Sequence, residues 1–251
     1  MTFTRSGDRL TVTAVEGLCF AGKSTLVRAV AELTGAVIAP EYTDLAPLPA
    51  WPPTDEDAVS AALQQFEHLE ALRTTKAKTQ LRHRAANDRP DRSDRSDRSD
   101  RSDRMVLLDR SPLTLIAHEY GMQALGVPAD PTGAAHRYTH AALAGTILTP
   151  DRYVYVSVPD DVTAARRAAR GPVADHLDHP AVRARISAVC STWLDLLPPD
   201  QVLRLDGTMP VPTLAAATAR FLSADTRRSR PIPPWTHLTD AITKQAQPVP
   251  S

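Results

Sequence analysis

The chain has 251 residues, of which 42% are hydrophobic and 23% charged, and this is enough apolar material for one globular domain with a sizeable core. Lys and Arg total 29, as do Asp and Glu, so no overall positive field would attract nucleic acid or an anionic membrane. The two cysteines, Cys19 and Cys190, cannot form a disulfide framework or a thiolate zinc site by themselves. We therefore expect a cytoplasmic protein with neither a nucleic-acid nor a membrane partner.

Two arginines, Arg5 and Arg9, precede the first apolar run, as they do in a secretory signal. Glu16 interrupts that run and no small-residue cleavage site follows it, so a signal peptide is not expected. No stretch of the sequence approaches the roughly 18 apolar residues that a membrane helix requires. The sequence therefore predicts a protein that does not span a bilayer.

The first half of the chain begins with a predicted strand over Thr11–Glu16. A helix is predicted over Lys23–Thr34, because its apolar residues share one face and a glycine follows as a C-terminal stop. A second strand is predicted over 36–39. The next helix is expected to begin near Thr54, whose hydroxyl can cap a helix with an acidic first turn.

The second half continues the alternation of strands and helices. Strands are predicted over Met105–Asp109, 153–158 and 201–205, and helices over 113–120, 133–144, 161–170, 180–196 and 211–222. The strands are short and apolar, as expected for strands that helices cover on both faces. This pattern predicts an α/β fold with a parallel sheet and helices on both faces.

Two segments depart from this pattern. Residues 88–104 form an Asp-Arg-Ser low-complexity insertion with no apolar residue to bury. We expect it to be disordered, with a salt-bridged helix as the alternative because each aspartate except Asp103 has an arginine four residues later. Its equal numbers of aspartates and arginines argue against a nucleic-acid-binding arm. We predict one domain over 1–224 and a proline-rich tail of low order over 225–251.

The segment after the first strand carries the most informative motif. Gly17-Leu-Cys-Phe-Ala-Gly22-Lys23-Ser24 matches the complete pattern G-x-x-x-x-G-K-[ST], with a strand before it and a helix after it. In such a loop the backbone N–H groups curl around phosphates at the positive end of the helix. Lys23 is expected to be exposed and to neutralise the β- and γ-phosphates. The predicted nucleotide-binding residues are Gly17, Leu18, Cys19, Phe20, Ala21, Gly22, Lys23, Ser24 and Thr25.

The third predicted strand ends in Asp109, where a magnesium nucleotide needs a carboxylate. Ser24 and Asp109 are therefore the predicted Mg²⁺ ligands. The sequence has neither the guanine-reading tetrapeptide N-K-x-D nor a D-x-x-G switch after the third strand, so a GTPase is not expected. A kinase with ATP and Mg²⁺ as cofactors and a small-molecule phosphoryl acceptor as partner is favoured.

Further segments follow this loop in a fixed order: Pro40-Glu41 after the second strand, Asp109-Arg110-Ser111 after the third, and Arg166 to Arg170 after the fourth. Together with residues 15–25, this series resembles the thymidylate kinase and deoxynucleoside kinase group of P-loop kinases over about residues 10–224. The resemblance implies a three-layer P-loop NTPase fold with a five-stranded parallel sheet of order 2-3-1-4-5. It identifies residues 1–224 as a P-loop kinase domain.

The resemblance also implies roles for individual residues. Glu41 would lie near the acceptor oxygen, and Asp109 and Arg110 would serve magnesium and the acceptor phosphate or hydroxyl. Two lid arginines would close over the transferring phosphoryl group, where placement of cations is the main source of catalysis. The predicted catalytic residues are Lys23, Glu41, Asp109, Arg110, Arg166 and Arg170. A cap for its loop is the alternative for Glu41, and a solvated arginine face is the alternative for Arg166 and Arg170.

The acceptor pocket is expected at the carboxyl ends of the strands, where open α/β sheets bind ligands. The predicted substrate contacts are Glu41, Tyr42, Phe66, Arg110 and Tyr120. A core position is the alternative for Phe66, which lies on the apolar stripe of its helix.

The sequence departs from the family pattern at three positions. Cys19 stands where thymidylate kinases usually carry an acidic residue, Tyr42 where a proline usually follows the glutamate, and Pro172 where a second lid arginine is familiar. Three functions therefore stay open: a nucleoside or nucleoside monophosphate kinase, a kinase of another small metabolite, and a non-catalytic ATP-binding regulator. The sequence also leaves open whether the chain forms a homodimer.

Overall fold

The computed structural model describes residues 10–50, 52–87, 104–171, 174–224 and 232–246. Within these ranges five strands form one parallel sheet: β1 (Thr11–Glu16), β2 (Val37–Ala39), β3 (Met105–Asp109), β4 (Arg152–Ser157) and β5 (Val202–Asp206). The strand order is β2-β3-β1-β4-β5, which is the predicted 2-3-1-4-5 order. With helices on both faces this is the three-layer P-loop NTPase fold, so the predicted fold class is confirmed.

Helices connect and cover the strands. They are α1 (Lys23–Thr34), α2 (Glu56–Asn87), α3 (Pro112–Gln123), α4 (Pro131–Leu143), α5 (Asp160–Arg170), α6 (Asp175–Asp178), α7 (Pro180–Asp195), α8 (Val211–Ser223) and α9 (Thr236–Ala246). Short 3-10 turns occur at Tyr42–Asp44 and Pro199–Gln201. Within the described ranges, none of these helices combines the length and apolarity needed to cross a membrane.

Successive residues of the central strands pack on opposite faces of the sheet, because strand side chains alternate in direction. In β3, Val106 and Leu108 join one apolar cluster and Leu107 joins another. Tyr153 and Val154 of β4 divide in the same way. Helices α1 and α8 cover one face, and α2, α3, α4 and α7 cover the other.

The carboxyl ends of the strands meet at one edge of the sheet, because all five strands run in the same direction. Val15 of β1 pairs with Asp109 of β3 on one side and with Val154 of β4 on the other. The loops that follow β1, β2 and β3 therefore leave the sheet side by side. These are the loops that carry the residues predicted for phosphate chemistry.

The C-terminal segment differs most from the sequence-based expectation. A tail of low order is predicted over 225–251, but α9 is a helix that packs against α4 and α7. Trp235 is 2% exposed and Leu238 is fully buried, and both belong to the larger apolar cluster together with Ile242. The burial of three large apolar side chains outweighs the proline-rich composition of the segment. The fold therefore includes residues 232–246.

The predicted Asp-Arg-Ser insertion lies, apart from Arg104, outside the described residues.

Candidate active site

The loop between β1 and α1 has a backbone suited to binding phosphates. Gly17 and Gly22 have φ values of 142° and 99°, which favour glycine. A Cβ atom on Gly17 would lie 2.2 Å from the carbonyl oxygen of Val156, so close packing also requires glycine there. Phe20 has a φ of 63°, which is uncommon for a residue other than glycine. The loop curls back at the N-terminus of α1, where backbone N–H groups and the helix dipole attract anions.

Lys23 lies within this loop and is buried rather than exposed, contrary to the sequence-based expectation. Its side chain is 5% exposed, and its Nζ donates to the carbonyl oxygen of Leu18 at 2.8 Å. Burial and the positive charge of Arg110 lower the pKa of Lys23 to about 8. A phosphate chain entering the loop would supply the negative charge that favours the ammonium form.

Arg166 of α5 holds the loop in shape. Its Nη1 donates to the carbonyl oxygens of Phe20 and Ala21, each at 3.1 Å, and its Nη2 donates to that of Gly207 at 2.7 Å. We predicted that Arg166 closes over the transferring phosphoryl group. In the structure its guanidinium instead binds backbone carbonyl oxygens. Three carbonyl oxygens converge on the guanidinium and tie the P-loop to the segment after β5.

A cavity of about 530 Å³ opens beside Leu18 of the loop, between α5 and α7. Its lining includes Arg167 and Arg183, which form ion pairs with acidic residues of the same region. Arg183 is close enough to the P-loop to act electrostatically on Cys19. Arg170, the second predicted lid arginine, is exposed to solvent and is not a lining residue of this cavity. Sequence analysis missed Arg183, because a lone arginine in an arginine-rich chain forms no motif.

Glu41, Asp109 and Ser24 come together next to the loop. The Glu41 side chain lies close enough to the Ser24 hydroxyl and the Asp109 carboxyl group for both to act on its pKa. Partial burial raises the pKa of Glu41, whose side chain still reaches solvent, and the negative charge of Asp109 raises it further. Among the residues that the structure describes, Oδ1 of Asp109 is buried without a hydrogen-bond partner. The structure thus unites three residues that the sequence predicted separately.

These oxygen atoms fit Mg²⁺. Hydroxyl and carboxylate oxygens are the ligands that this ion prefers, and it commonly uses one or two carboxylates together with substrate phosphates. Asp109 offers a buried oxygen that no described residue satisfies, and Ser24, at the phosphate loop, acts on the same Glu41 side chain as Asp109 does. Across the described part of the chain, no group of three or more His, Cys, Asp or Glu side chains forms a complete metal site. A site for Mg²⁺ here would therefore need oxygens from a bound nucleotide or water.

The turn after β3 is tied to the end of β1 by Glu16, which the sequence did not single out. Glu16 is fully buried, and its Oε1 accepts hydrogen bonds from the N–H of Ser111 at 2.8 Å and from its hydroxyl at 2.6 Å. The Thr114 hydroxyl donates to Oε2. Burial raises the pKa of Glu16, and these hydrogen bonds partly offset that effect. Arg110 sits in this turn with a φ of 72°, and its N–H donates to the carbonyl oxygen of Val15 at 3.1 Å.

Arg73 of α2 stabilises the carboxyl ends of β2 and β3, and sequence analysis missed this residue as well. Its side chain is fully buried, and its Nε donates to the carbonyl oxygen of Pro40 at 2.8 Å. Its Nη2 donates to the carbonyl oxygens of Asp109 and Arg110 at 3.2 and 3.1 Å, and its Nη1 binds Glu70 at 2.8 Å. One guanidinium therefore fixes the ends of β2 and β3 relative to each other.

Tyr42 and Phe66 were predicted to contact the acceptor, but the structure places both in the core. The Tyr42 hydroxyl donates to Glu70, and its ring lies beneath the Arg73 guanidinium at 4.4 Å. The Tyr42 and Phe66 rings meet edge to face with centroids 5.6 Å apart. The need to satisfy the buried Glu70–Arg73 pair explains why Tyr42 turns inward. For Phe66 the alternative of a core position is the one observed.

Tyr120 lies away from this edge. It follows the N-cap of α3 by nine residues, which corresponds to about 14 Å along a helix. Its ring packs against the guanidinium of Arg185 from α7 at 5.6 Å. Burial raises the pKa of its hydroxyl, and Asp240 of α9 adds to the effect. Tyr120 therefore packs against α7, and the structure does not bring it to the predicted acceptor pocket.

The fold resembles that of a deoxyadenosine kinase from M. mycoides. One structure of that protein, with the products dCMP and a flexible dCDP bound, is 16% identical with a TM-score of 0.48, covering 84% of this chain and 98% of the other. Another, with dCTP, is 14% identical with a TM-score of 0.48 and the same coverage. A third, with dATP, is 15% identical with a TM-score of 0.46, covering 85% of this chain and all of the other. No protein-family model and no curated protein matches the sequence.

Proposed function

We propose that this chain is a P-loop kinase that transfers the γ-phosphoryl group of Mg-ATP to a nucleoside or a nucleoside monophosphate. The observation that carries the proposal is the meeting of Ser24, Glu41 and Asp109 beside a glycine-rich loop. A phosphate-binding loop, a place for Mg²⁺ and a carboxylate for the acceptor then lie within one site. The acceptor class follows from the resemblance of the motif series to thymidylate and deoxynucleoside kinases.

The loop would bind the donor phosphates. Its N–H groups at the start of α1 face the phosphate chain, and the Lys23 ammonium group supplies positive charge from within the loop. Lys23 would exchange the Leu18 carbonyl for a phosphate oxygen, a change of partner that raises its pKa from about 8. Arg166 keeps the loop in the required shape and does not need to contact the nucleotide.

The carboxylates of Asp109 and Glu41 would have different roles. Ser24 and Asp109 would hold Mg²⁺, which when bound neutralises charge on the β- and γ-phosphate oxygens. Glu41 remains open to solvent and would accept a proton from an acceptor hydroxyl or orient it. Its raised pKa makes it a stronger base than an ordinary glutamate, which favours proton transfer.

Arg110 and Arg183 would supply the remaining positive charge. Arg110 lies between the P-loop and Asp109, and Arg183 lines the cavity beside Leu18. In phosphoryl transfer, cations placed around the equatorial oxygens provide most of the catalysis. Arg183 thus replaces Arg166 and Arg170 as the helix arginine in this proposal, and the kinase domain extends to include residues 232–246.

A coupled ADP-release assay across nucleosides, nucleoside monophosphates and amino alcohols tests the proposal. We expect ADP release with a member of the first two classes. Replacing Glu41 with glutamine should lower kcat by a factor on the order of 10²–10⁴ while the KM for ATP changes little. Glu32→Gln, on the exposed surface of α1, is the matched control and should keep wild-type kinetics.

The outcomes separate the alternatives. Binding of ATP without ADP release for any acceptor would favour a regulatory protein. Release with an amino alcohol alone would favour a kinase of another metabolite. Wild-type turnover in the Glu41→Gln variant would remove this carboxylate from the reaction.

A further inference from the structure

Cys19 lies in the middle of the P-loop, and the mechanism proposed above gives its thiol no role. The side chain is partly buried, and its sulfur accepts a hydrogen bond from Nη2 of Arg110 at 3.5 Å. The contact joins two loops that follow different strands, β1 and β3. It therefore links the phosphate-binding loop directly to the turn that carries Asp109.

The backbone alone does not fix the Arg110 guanidinium. The φ of 72° and the hydrogen bond from its N–H to Val15 set only the point where the side chain starts. An arginine side chain has several rotatable bonds, and ordering it costs rotamer entropy. Within the described part of the chain, the hydrogen bond that the guanidinium makes is the one to Cys19.

Nearby carboxylates attract Arg110 without taking over its hydrogen bonds. Glu16 and Asp109 act on it electrostatically, but the oxygens of Glu16 already accept from Ser111 and Thr114. Sulfur is a weak acceptor compared with a carboxylate. Cys19 can thus hold the guanidinium in place while its other N–H donors stay available for the oxyanions of a ligand.

We propose that Cys19 is a positioning residue that holds the Arg110 guanidinium against the P-loop, where it faces the phosphate oxygens during transfer. This role rests on the proposed phosphoryl transfer, whereas the contact between the two side chains does not. A cysteine that only filled space in the loop would matter equally with or without Arg110. The proposal therefore makes the effect of Cys19 conditional on Arg110.

The charges around the two cysteines agree with this assignment. Burial alone would raise the pKa of the Cys19 thiol, but Arg110, Lys23 and Arg183 outweigh that effect and lower it. Cys190 of α7 is buried, and its pKa is raised by that burial. The chain therefore contains one thiol next to positive charge and one buried thiol whose ionisation is disfavoured.

A double-mutant cycle tests the coupling. Cys19→Ala should lower kcat/KM for the acceptor about tenfold, which corresponds to about 1.4 kcal/mol. In an Arg110→Gln background the same substitution should change kcat/KM by less than about twofold, because the partner is gone. Cys19→Ser should recover to within about threefold of wild type, since a hydroxyl also accepts a hydrogen bond. Additive effects of the two substitutions would overturn the proposal.

Alkylation with iodoacetamide gives a readout that does not depend on turnover. In a Cys190→Ala background only Cys19 reacts, and the midpoint of its rate against pH reports the ionisation of its thiol. Arg110→Gln should shift that midpoint upward, whereas Arg185→Gln, at the Tyr120 contact, should leave it unchanged. A midpoint that Arg110→Gln does not move would show that the two side chains are not in contact.

The double-mutant cycle and the alkylation experiment together distinguish this inference from the proposed function. If the wild-type protein phosphorylates none of the acceptors but the alkylation midpoint shifts as expected, the proposed function fails and the contact stands. If phosphoryl transfer occurs and the cycle is additive, the proposed function stands and the positioning role of Cys19 fails.

Discussion

Removing the guanidinium of Arg73 should be among the most damaging single changes to the folded protein. Arg73 and Glu70 form an ion pair at 2.8 Å with side chains that are each 1% exposed. In Arg73→Met the carboxylate of Glu70 stays buried with no opposite charge, and three backbone carbonyl oxygens at the ends of β2 and β3 lose a donor. Breaking a buried pair from one side typically costs about 3–5 kcal/mol.

Urea-induced unfolding, followed by tryptophan fluorescence, measures this cost. A second ion pair provides the matched control: Arg137 and Glu67 also meet at 2.8 Å, but their side chains are about a third exposed, at 34% and 32%. Exposed pairs contribute about 0.2–1 kcal/mol, so Arg137→Met should cost less than about 1 kcal/mol. The comparison separates the effect of burial from the effect of losing an arginine.

Removing the charge of Glu70 as well should restore much of the stability. In the double variant Glu70→Gln with Arg73→Met, no uncompensated charge remains, and the glutamine oxygen can still accept from Tyr42. We expect at least half of the lost free energy of unfolding to return. If Arg73→Met cost no more than Arg137→Met, the account of Arg73 as the support of this edge would be wrong.

Three further outcomes are expected. Binding of ATP should take up a proton above pH 8, because bound phosphates favour the ammonium form of Lys23, whose pKa is about 8. The affinity should therefore fall as the pH rises, and calorimetry in buffers of different ionisation enthalpy measures both effects; a pH-independent affinity would contradict the placement of Lys23. Asp109→Asn should lose most of its turnover, and excess Mg²⁺ should restore only part of it, so a wild-type Mg²⁺ dependence would exclude Asp109 from the site. Replacing residues 90–102 with a short Gly-Ser turn should keep kcat/KM within about threefold, because Arg104 meets the N–H of Thr11 at the amino end of β1, opposite the P-loop. A KM raised by orders of magnitude in a folded deletion variant would place the repeat in the site.

The sequence predicted those features that local patterns encode. The strand bounds depend on short apolar runs that end at turns, whereas the strand order was implied by the resemblance of the motif series to a kinase family. Contacts between distant residues leave no such pattern. Arg73 reaches three carbonyl oxygens on two strands, and neither its spacing nor its neighbours in α2 reveal them. Glu16 interrupts an apolar run, and only the fold shows that Ser111 and Thr114 satisfy it.

The sequence also could not predict the direction in which a long side chain points. Arg166 and Arg170 are four apart on α5, but one binds the P-loop carbonyls and the other is exposed. In the C-terminal segment a signal was present, since the spacing of Trp235, Leu238 and Ile242 is compatible with one helix face. The proline-rich composition around these residues led to the prediction of low order. That prediction is wrong because the apolar side chains of this segment are buried against α4 and α7.

Transfer of label from γ-labelled ATP tests the central claim most directly. Wild-type protein and Lys23→Ala are incubated with Mg²⁺, labelled ATP and one acceptor at a time, and the products are separated and identified. The account predicts that label moves to a nucleoside or a nucleoside monophosphate with wild-type protein and not with Lys23→Ala. Wild-type protein that binds ATP but labels no acceptor, or a Lys23→Ala variant that transfers label at the wild-type rate, would contradict it.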